Sequence, residues 1–351
     1  MKHKIALIGF GTVGQGLCEI LLSKENELKT NYNFEGNIVA VSDPLKGSVY
    51  CSEGLDIQQL LELVLANKSL EEYSCNKDCD GCQKGWDAIT TIKNSNADSI
   101  CELAYTDVKT GEPAITHCKT AFEYGKNIVT SNKGPGALMY NELKEMAEKN
   151  NVAFKIEGTV VSGTPVINLA EGPLAGCSIS SIKGILNGTT NYILSEMEAG
   201  KSYDEVLQTA QDLGYAEADP TGDVEGFDAM AKVIILANVL MGGNISANDV
   251  EREGITKITA DMIDEAKSKN ARWKLIGLIE KTNSGIRASV KPEMISMTHP
   301  LAGIMGATNA LTFSTDLMGD ITIVGAGAGK IETGFSILTD LLKIDEKMKR
   351  N

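Results

Sequence analysis

Residues 4–22, KIALIGFGTVGQGLCEILL, decide the fold. Residues 4–8 are an apolar run of strand length, and the apolar residues after position 16 recur at helical spacing. Between them, Gly9, Gly11 and Gly14 form a G-x-G-x-x-G loop that follows a strand and opens a helix. Such glycines permit a tight turn, the approach of a pyrophosphate and close packing of helix on strand. The context predicts a dinucleotide site at the helix N-terminus, although a glycine-rich turn without a ligand remains an alternative.

The next apolar run, NIVAVSDP at residues 37–44, predicts a second buried strand that ends at Asp43. A carboxylate at this place can bind the ribose 2′-hydroxyl of NAD. Lys46 lies close enough to meet the 2′-phosphate of NADP instead. A third interpretation is that Asp43-Pro44 only forms a turn. The sequence therefore leaves NAD and NADP both open.

Strand and helix patterns alternate up to about residue 150, which predicts an α/β fold with a Rossmann-type doubly wound parallel sheet. Residues 51–65 look helical. Later strands, such as VAFKIEGTVVSG at residues 152–163, stand among helices and indicate a second α+β domain for substrate binding and dimerisation. The last forty residues repeat the strand, glycine turn, helix order. We therefore expect residues 1–150 to form the dinucleotide-binding domain, completed by residues 311–351, and residues 151–310 to form the second domain.

The composition and charge of the chain exclude some classes of binding partner. The chain of 351 residues is 42% hydrophobic, enough for a sizeable core, and its 33 basic and 47 acidic residues give a formal charge of −14. Such a surface repels phosphate backbones and anionic lipid, so neither nucleic acid nor a membrane is expected as a partner. The longest apolar run, residues 233–241, is too short to span a bilayer. Without an export signal, the eight cysteines are expected as reduced thiols in the cytoplasm.

A polar segment at residues 71–96 contains Cys75, Cys79 and Cys82 in the spacing C-x3-C-x2-C. This spacing can hold an iron–sulfur cluster or supply three zinc ligands. However, no fourth ligand is close in sequence. The simpler interpretation is an insertion whose cysteines are incidental or sensitive to oxidation.

The segment EADPTGDVEGFDAMAKV, residues 217–233, contains five acids and one lysine. Asp228 and Lys232 are four residues apart on a predicted helix and share a face with apolar Ile235, so this face should turn inward. A buried ammonium group is costly unless it is paired. Glu217 and Asp223 could bind a cationic amine. The alternatives are an exposed ion pair and an ordinary Asp-Pro turn.

A second lysine, Lys133, follows the predicted strand IVTSN at residues 128–132. The carboxyl ends of parallel strands face the ligand crevice of such sheets, although a lysine at a glycine turn is also common. The three histidines form neither a zinc pair nor part of a serine hydrolase triad. The chemistry is therefore expected to depend on a nicotinamide, carboxylates and lysines.

Five motifs together resemble homoserine dehydrogenases over nearly the whole chain: GFGTVGQG, TSNKGPGAL, EGTVVSGTPVI, GILNGTTNYILSEM and LGYAEADPTGDVEGFDAMAK. The resemblance implies reversible oxidation of L-homoserine to L-aspartate 4-semialdehyde with NAD or NADP. This reaction serves threonine, methionine and isoleucine biosynthesis. The family also implies a cytoplasmic homodimer. With neither a fused aspartate kinase nor a C-terminal ligand-sensing domain expected, inhibition by threonine through such a domain is not expected.

The resemblance also implies roles for individual residues. Lys232 corresponds to the lysine that exchanges a proton with the substrate oxygen, and Lys133 corresponds to a second active-site lysine. The residues implied in substrate contact and support are Glu217 and Asp223 for the amino group, Thr189 beside the reacting centre and Asp228 beside Lys232. The residues implied in cofactor binding are Gly9, Phe10, Gly11, Thr12, Val13, Gly14, Asp43, Lys133 and Gly329. The residues implied in binding a monovalent cation such as sodium are Glu157, Val160, Ser162 and Thr164.

Two features depart from the family pattern. One is the cysteine-containing insertion. The other is CELAYTD at residues 101–107, which differs from the usual acid-threonine loop near the nicotinamide.

Two other functions are alternatives to this assignment. An acylating semialdehyde dehydrogenase needs a nucleophilic cysteine such as Cys118 or Cys177. A nucleotide-sensing protein would not need Lys133, Lys232 and the carboxylates.

Overall fold

A computed structural model describes residues 2–75, 81–107 and 109–350. The chain divides into two compact units. The first contains the residues up to 159 together with those from 329 onward, and the second contains residues 160–328. Each unit is built around its own sheet.

The first unit has the predicted doubly wound sheet. In the described part of the chain, seven strands lie in the order β4-β3-β2-β1-β5-β6-β7. The strands are β1 (His3–Ile8), β2 (Gly36–Asp43), β3 (Gly47–Tyr50), β4 (Gln83–Lys84), β5 (Ser99–Glu102), β6 (Asn127–Thr130) and β7 (Phe154–Lys155). Five adjacent strands, in the order β2-β1-β5-β6-β7, are parallel to one another, whereas β3 and β4 add an antiparallel edge beside β2. Central β1 is almost fully buried because helices cover both faces of such a sheet.

The helices of this unit are α1 (Thr12–Ser23), α2 (Glu25–Tyr32), α3 (Ile57–Leu65), α4 (Ala88–Asn94), α5 (Ala114–Glu123), α6 (Lys133–Leu138), α7 (Tyr140–Lys149) and α14 (Lys330–Arg350). Helix α3 begins later than the helical pattern at residues 51–65 suggests. Asp56 caps it, since its carboxylate accepts the backbone N–H groups of Gln58 and Gln59.

The last helix, α14, closes the first unit against α1 and β1. A Cβ atom on Gly334 would lie 2.6 Å from the backbone nitrogen of Leu17, so only glycine permits this close approach of α14 to α1. At the other end of the contact, buried His3 lies between Ser99 and Asp345, with its ring nitrogens 2.8 Å and 3.4 Å from their side-chain oxygens. The C-terminal helix is therefore fixed to the centre of the sheet.

The second unit has a mostly antiparallel sheet. Its six strands within the described residues lie in the order β13-β12-β8-β10-β11-β9, and only β9 runs parallel to its neighbour. The strands are β8 (Ile179–Ile185), β9 (Val250–Arg252), β10 (Ala271–Thr282), β11 (Gly285–Ser296), β12 (Thr308–Thr315) and β13 (Gly319–Ala326). The helices are α8 (Val166–Glu171), α9 (Gly188–Glu198), α10 (Tyr203–Asp212), α11 (Thr221–Val224), α12 (Phe227–Leu240) and α13 (Ala260–Ser268).

Two segments differ from the sequence-based expectation. Residues 152–163 are not one strand: β7 covers two residues, and a 3-10 turn, Glu157–Thr159, follows it. Val161 and Ser162 then adopt the left-handed conformation, with φ values of 51° and 47°, which no strand can contain. Residues 311–328 were expected in the first domain. The structure instead pairs β12 with β8 and with β13 in the second sheet, so these residues continue its antiparallel hydrogen-bond ladder.

The cysteine insertion contains a disulfide between Cys75 and Cys82. The expectation of reduced thiols is therefore wrong for this pair, whose Cα atoms lie 6.0 Å apart. Cys79 lies outside the described residues. The disulfide consumes two of the three sulfur atoms that a metal site in this segment would have used.

Candidate functional site

The glycine loop has the geometry that a dinucleotide requires. Gly9 has a φ of +95°, and a Cβ atom there would lie 2.5 Å from the carbonyl oxygen of Leu103. Gly11 precedes α1 without a side-chain cap, and a Cβ atom on it would meet open space. Thr12 is exposed at the start of α1, whereas Phe10 is fully buried. The N–H groups of the first turn are thus accessible to phosphate oxygens.

Asp43, at the end of β2, ties the glycine loop to the β2–β3 turn. One of its carboxylate oxygens accepts the backbone N–H of Phe10 at 2.8 Å. The other accepts the N–H groups of Leu45 and Lys46 at 2.9 Å and 3.0 Å. The Lys46 ammonium lies 3.8 Å from the same carboxylate. Asp43 therefore organises the turn. The interpretation of Asp43 as a turn residue does not exclude its interpretation as a ligand of the ribose 2′-hydroxyl.

A cavity of about 590 Å³ extends from Gly9 along the carboxyl end of β2. Its other polar walls come from Glu71, Asp87 and His117, and Trp86 supplies an aromatic wall. The Trp86 ring stacks on Tyr50 with 4.9 Å between centroids. Hydrogen bonds from Thr90 lower the pKa of Asp87, so this acid is ionised at neutral pH. The residues present fit a dinucleotide: a phosphate-binding helix start continues into a cavity with a flat aromatic wall.

Lys133 begins α6, directly after the carboxyl end of β6. The preceding residue, Asn132, is held by the side chain of Glu102 and by the carbonyl oxygen of Ala104, at 2.7 Å from the latter. Glu102 is fully buried at the end of β5 and also contacts the ring of His117 at 3.0 Å. Sequence reasoning missed this network because its members lie 15 to 30 positions apart.

In the second unit, the structure confirms that Lys232 and Asp228 share a helix face and turn inward. The Lys232 side chain is 9% exposed, and its Nζ atom donates to Asp228 Oδ2 at 2.7 Å and to the carbonyl oxygen of Leu186 at 2.7 Å. The ammonium group is therefore neither an exposed surface charge nor an unpaired buried one. Helix α12 supports this position, since the residues from Val233 to Asn238 are all buried.

Asn187 joins the two carboxylates of this cluster. Its Nδ2 atom donates to Asp223 Oδ1 at 2.6 Å and to Asp228 Oδ2 at 2.9 Å. Its Oδ1 atom accepts the backbone N–H of Thr190 at 2.9 Å and so caps α9. The sequence analysis did not single out this residue, although an asparagine directly before a helix start in LNGTTN is a recognisable capping signal.

Burial raises the pKa of Asp223, and the nearby Asp228 carboxylate raises it further, while hydrogen bonds from Asn187 and Thr189 act in the opposite direction. Thr189 is buried, and its hydroxyl donates to the carbonyl oxygen of Tyr215 at 2.7 Å. Glu217 is exposed in the segment before α11. In the described chain, the bonded cluster thus contains Asp223 and Asp228 but not Glu217.

The residues of the predicted cation site belong to both units. Glu157 is buried in the first unit, where its backbone N–H donates to Asp340 at 2.9 Å. Val160, Ser162 and Thr164 belong to the second unit, and the Thr164 hydroxyl donates to the carbonyl oxygen of Ala326 at 3.1 Å. The cation site therefore stays a prediction. Gly329 directly precedes α14 with a φ of +144°.

The cysteines do not favour an acylating enzyme. Cys118 is fully buried in α5, and burial raises the pKa of its thiol well above the ordinary value. A nucleophilic cysteine needs a lowered pKa and access to substrate. Cys177 is only partly buried, in the loop before β8. The buried lysine and its carboxylates remain the stronger candidates for the chemistry.

A phosphate-binding glycine loop on a doubly wound sheet and a buried lysine among carboxylates define a dinucleotide-dependent oxidoreductase. The family model described as homoserine dehydrogenase matches residues 165–342. An NAD(+)-dependent homoserine dehydrogenase of Pseudomonas canavaninivorans is 44% identical over 99% of this chain and 98% of its own length. A homoserine dehydrogenase of Methanocaldococcus jannaschii is 40% identical over 99% of both chains.

Solved structures agree. A homoserine dehydrogenase from Thiobacillus denitrificans matches with a TM-score of 0.85 and 29% identity, over 100% of this chain and 75% of that one. A hyperthermophilic archaeal homoserine dehydrogenase in complex with NADPH matches with a TM-score of 0.81 and 29% identity, over 99% of this chain and 98% of that one. The chain belongs to the homoserine dehydrogenase family, and it is an oxidoreductase that acts on a CH–OH group with NAD(P). None of the described helices is both long and apolar enough to cross a membrane.

Proposed function

We propose that Lys232 is the general acid and base for the reversible oxidation of L-homoserine to L-aspartate 4-semialdehyde. The observation that carries this proposal is the burial of the Lys232 ammonium between Asp228 and the carbonyl oxygen of Leu186. Both contacts are 2.7 Å long, so the position of Nζ is fixed by two acceptors from different elements. A positioned proton-transfer group typically accelerates a reaction by about 10² to 10⁴-fold.

The chain's own residues move the proton and hold the substrate. A bound nicotinamide would supply the acceptor for the hydride of the carbinol carbon during oxidation. In that direction the neutral amine form of Lys232 accepts the hydroxyl proton and becomes the ammonium group, which returns a proton to the carbonyl oxygen in the reverse direction. Asp228 keeps Nζ in place throughout, because it is bonded both to Lys232 and to Asn187. Low solvent exposure around Nζ limits competing proton exchange with water.

Homoserine has a cationic α-ammonium group that carboxylates can bind, and simple alcohols lack such a group. Asp223 is the carboxylate that we propose for this group, because it is half-buried beside Asp228 and accepts a bond from Asn187. Glu217 is the second proposed carboxylate, and its exposure leaves it accessible to a ligand. Thr189, buried at the start of α9, is proposed to lie beside the reacting centre.

The cofactor is proposed to bind along the carboxyl edge of the first sheet. Gly9, Gly11 and Gly14 would hold the pyrophosphate through the first turn of α1, with Phe10, Thr12 and Val13 completing the loop. The remaining proposed cofactor contacts are Asp43 at the ribose end, Lys133 after β6 and Gly329 before α14. The support for this placement is the open space over Gly11 and the cavity that continues from Gly9.

Three further assignments rest on the resemblance. A monovalent cation such as sodium is proposed at Glu157, Val160, Ser162 and Thr164, because these residues match the cation site of the family. A homodimer is proposed and is tested by light scattering after size-exclusion chromatography. A cytoplasmic location is proposed because the reaction draws on a pool of reduced and oxidised dinucleotide.

The test of the function compares two substrates that differ in one group. Purified protein is assayed with L-homoserine and with 4-hydroxybutyrate, which has the same alcohol but no amino group, by the absorbance of the reduced nicotinamide. We expect kcat/KM for 4-hydroxybutyrate to be lower by at least about 100-fold, because half-buried Asp223 is then left without its cation. Equal rates would contradict the amine-binding role, and no oxidation of homoserine with NAD or NADP would refute the proposed reaction.

A further inference from the structure

We propose that Glu71 excludes cofactors that have a 2′-phosphate, so that this chain binds NAD in preference to NADP. This inference rests on the proposed placement of the dinucleotide along the carboxyl end of β2. It assigns a selectivity role to a residue that lies far from the glycine loop in sequence, at the start of the cysteine-containing polar segment.

Glu71 belongs to a short turn that is fixed to the β2–β3 connection. The 3-10 turn Leu70–Glu72 begins with fully buried Leu70, whose backbone N–H donates to the carbonyl oxygen of Lys46 at 2.7 Å. The Ser69 hydroxyl donates to the same carbonyl at 3.3 Å and also accepts the backbone N–H of Glu71 at 3.2 Å. The backbone of Glu71 therefore has a fixed position relative to the ribose end of the proposed site.

The Glu71 side chain lies next to Gly47, the residue that pairs with Asp43 across β2 and β3. A Cβ atom on Gly47 would be 3.4 Å from Glu71 Oε1, so the carboxylate reaches the edge of the β2–β3 turn. Glu71 and Asp43 both line the cavity that extends from Gly9. Two carboxylates thus border the region where a ribose bound to Asp43 would place its 2′-substituent.

The charge of this region favours a hydroxyl over a phosphate. Among the described residues that line the cavity there are three acids, Asp43, Glu71 and Asp87, but no lysine or arginine. The nearest basic group of the turn, Lys46, lies 3.8 Å from the Asp43 carboxylate. A ribose hydroxyl can donate to a carboxylate, whereas a phosphate dianion can only be repelled by it. NADP recognition normally uses a cationic side chain here, but the charge of Lys46 is already offset by the Asp43 carboxylate.

The test is direct binding, which does not depend on catalysis. Dissociation constants for NADH and NADPH are measured from nicotinamide fluorescence for the wild type, Glu71→Gln and Glu71→Lys. The matched control is Glu72→Gln, which removes the neighbouring exposed acid that pairs with Lys68 at 3.8 Å and does not line the cavity. Initial rates of homoserine oxidation with NAD and NADP are measured in parallel.

We expect the wild type to bind NADH at least about tenfold more tightly than NADPH, because a 2′-phosphate would add negative charge to a partly exposed cavity that Asp43 and Glu71 already line. Glu71→Gln should tighten NADPH binding by roughly threefold to tenfold with little change for NADH, and Glu71→Lys should tighten it further. Glu72→Gln should leave both constants unchanged. The selectivity should also decrease at high salt, because screening weakens the repulsion.

The inference is overturned if the wild type binds NADPH as tightly as NADH, if Glu71→Gln leaves the ratio of the two constants within twofold, or if neither dinucleotide binds. Failure of the proposed reaction gives a different result: NADH binds selectively and the ratio responds to Glu71, but homoserine is not oxidised with either cofactor.

Discussion

Replacing Asn187 by serine should separate the capping of α9 from the bridge between the two carboxylates. A serine hydroxyl can still accept the backbone N–H of Thr190 and cap the helix. It cannot supply the amide N–H groups that reach Asp223 at 2.6 Å and Asp228 at 2.9 Å. Asn187→Ala removes both functions and provides the comparison.

The size of the effect follows from these two bonds. A hydrogen bond to a charged group contributes about 1.5–3 kcal/mol, but the Asp228 side chain is 21% exposed, so water replaces part of what is lost. We expect Asn187→Ser to cost about 2 kcal/mol of unfolding free energy, and Asn187→Ala about 1 kcal/mol more for the lost cap. If the transition state loses the same 2 kcal/mol of stabilisation, kcat/KM for homoserine falls about thirtyfold.

The assay combines thermal unfolding with a pH–rate profile. The Asn187 bond lowers the pKa of Asp223 against the effects of burial and of Asp228. Removing it should therefore raise that pKa and move the acid limb of the profile to higher pH in both variants. If Asn187→Ser kept kcat/KM within twofold of wild type, with an unchanged acid limb, the bridge would have no role in catalysis and the argument would be refuted.

Three further substitutions test separate contacts. Asp223→Asn should raise the melting temperature by about 2 °C at neutral pH, because a carboxylate with a raised pKa favours the folded state only when it is protonated at low pH. This gain in melting temperature should shrink on acidification. The KM for homoserine should rise at least about tenfold. Burial lowers the pKa of His3 below 6.5 and outweighs the opposite effect of Asp345, so the wild type should lose stability as pH falls below about 6.5. His3→Gln should flatten that dependence in melts at about pH 7.5 and about pH 5.5, and an unchanged slope would exclude His3 as its source. Gly334→Ala should destabilise the protein by about 2 kcal/mol because its Cβ atom would meet the backbone of Leu17, although alanine is the better helix former; an unchanged or higher melting temperature would show that α14 can move away from α1.

Local patterns predicted the parts of the molecule that depend on short-range spacing. The strand, glycine loop and helix at residues 4–22 form β1, the turn and α1, and the i, i+4 spacing of Asp228 and Lys232 corresponds to a real contact. The i, i+4 spacing alone is compatible with both a buried and an exposed pair. The structure decides it, because the Leu186 carbonyl that accepts the second lysine bond is 46 positions away.

The missed features depend on contacts between distant segments. Asn187 reaches carboxylates 36 and 41 positions later, and no local pattern reports such a distance. The expected strand at residues 152–163 failed because Val161 and Ser162 have left-handed conformations that their residue types do not signal. Likewise, the position of Glu71 depends on the bond from the Leu70 N–H to the Lys46 carbonyl oxygen, which joins segments 24 positions apart and which no local pattern signals.

The turnover of Lys232→Ala tests the central claim most directly. We expect kcat for homoserine oxidation to fall by at least about 100-fold while NADH binding, measured by fluorescence, stays within twofold of wild type. The control is Lys183→Ala in the same unit, which removes a lysine that pairs with Glu293 at 2.9 Å on the second sheet and should leave kcat unchanged. A Lys232→Ala enzyme with near wild-type kcat would contradict the assignment of Lys232 as the proton-transfer residue.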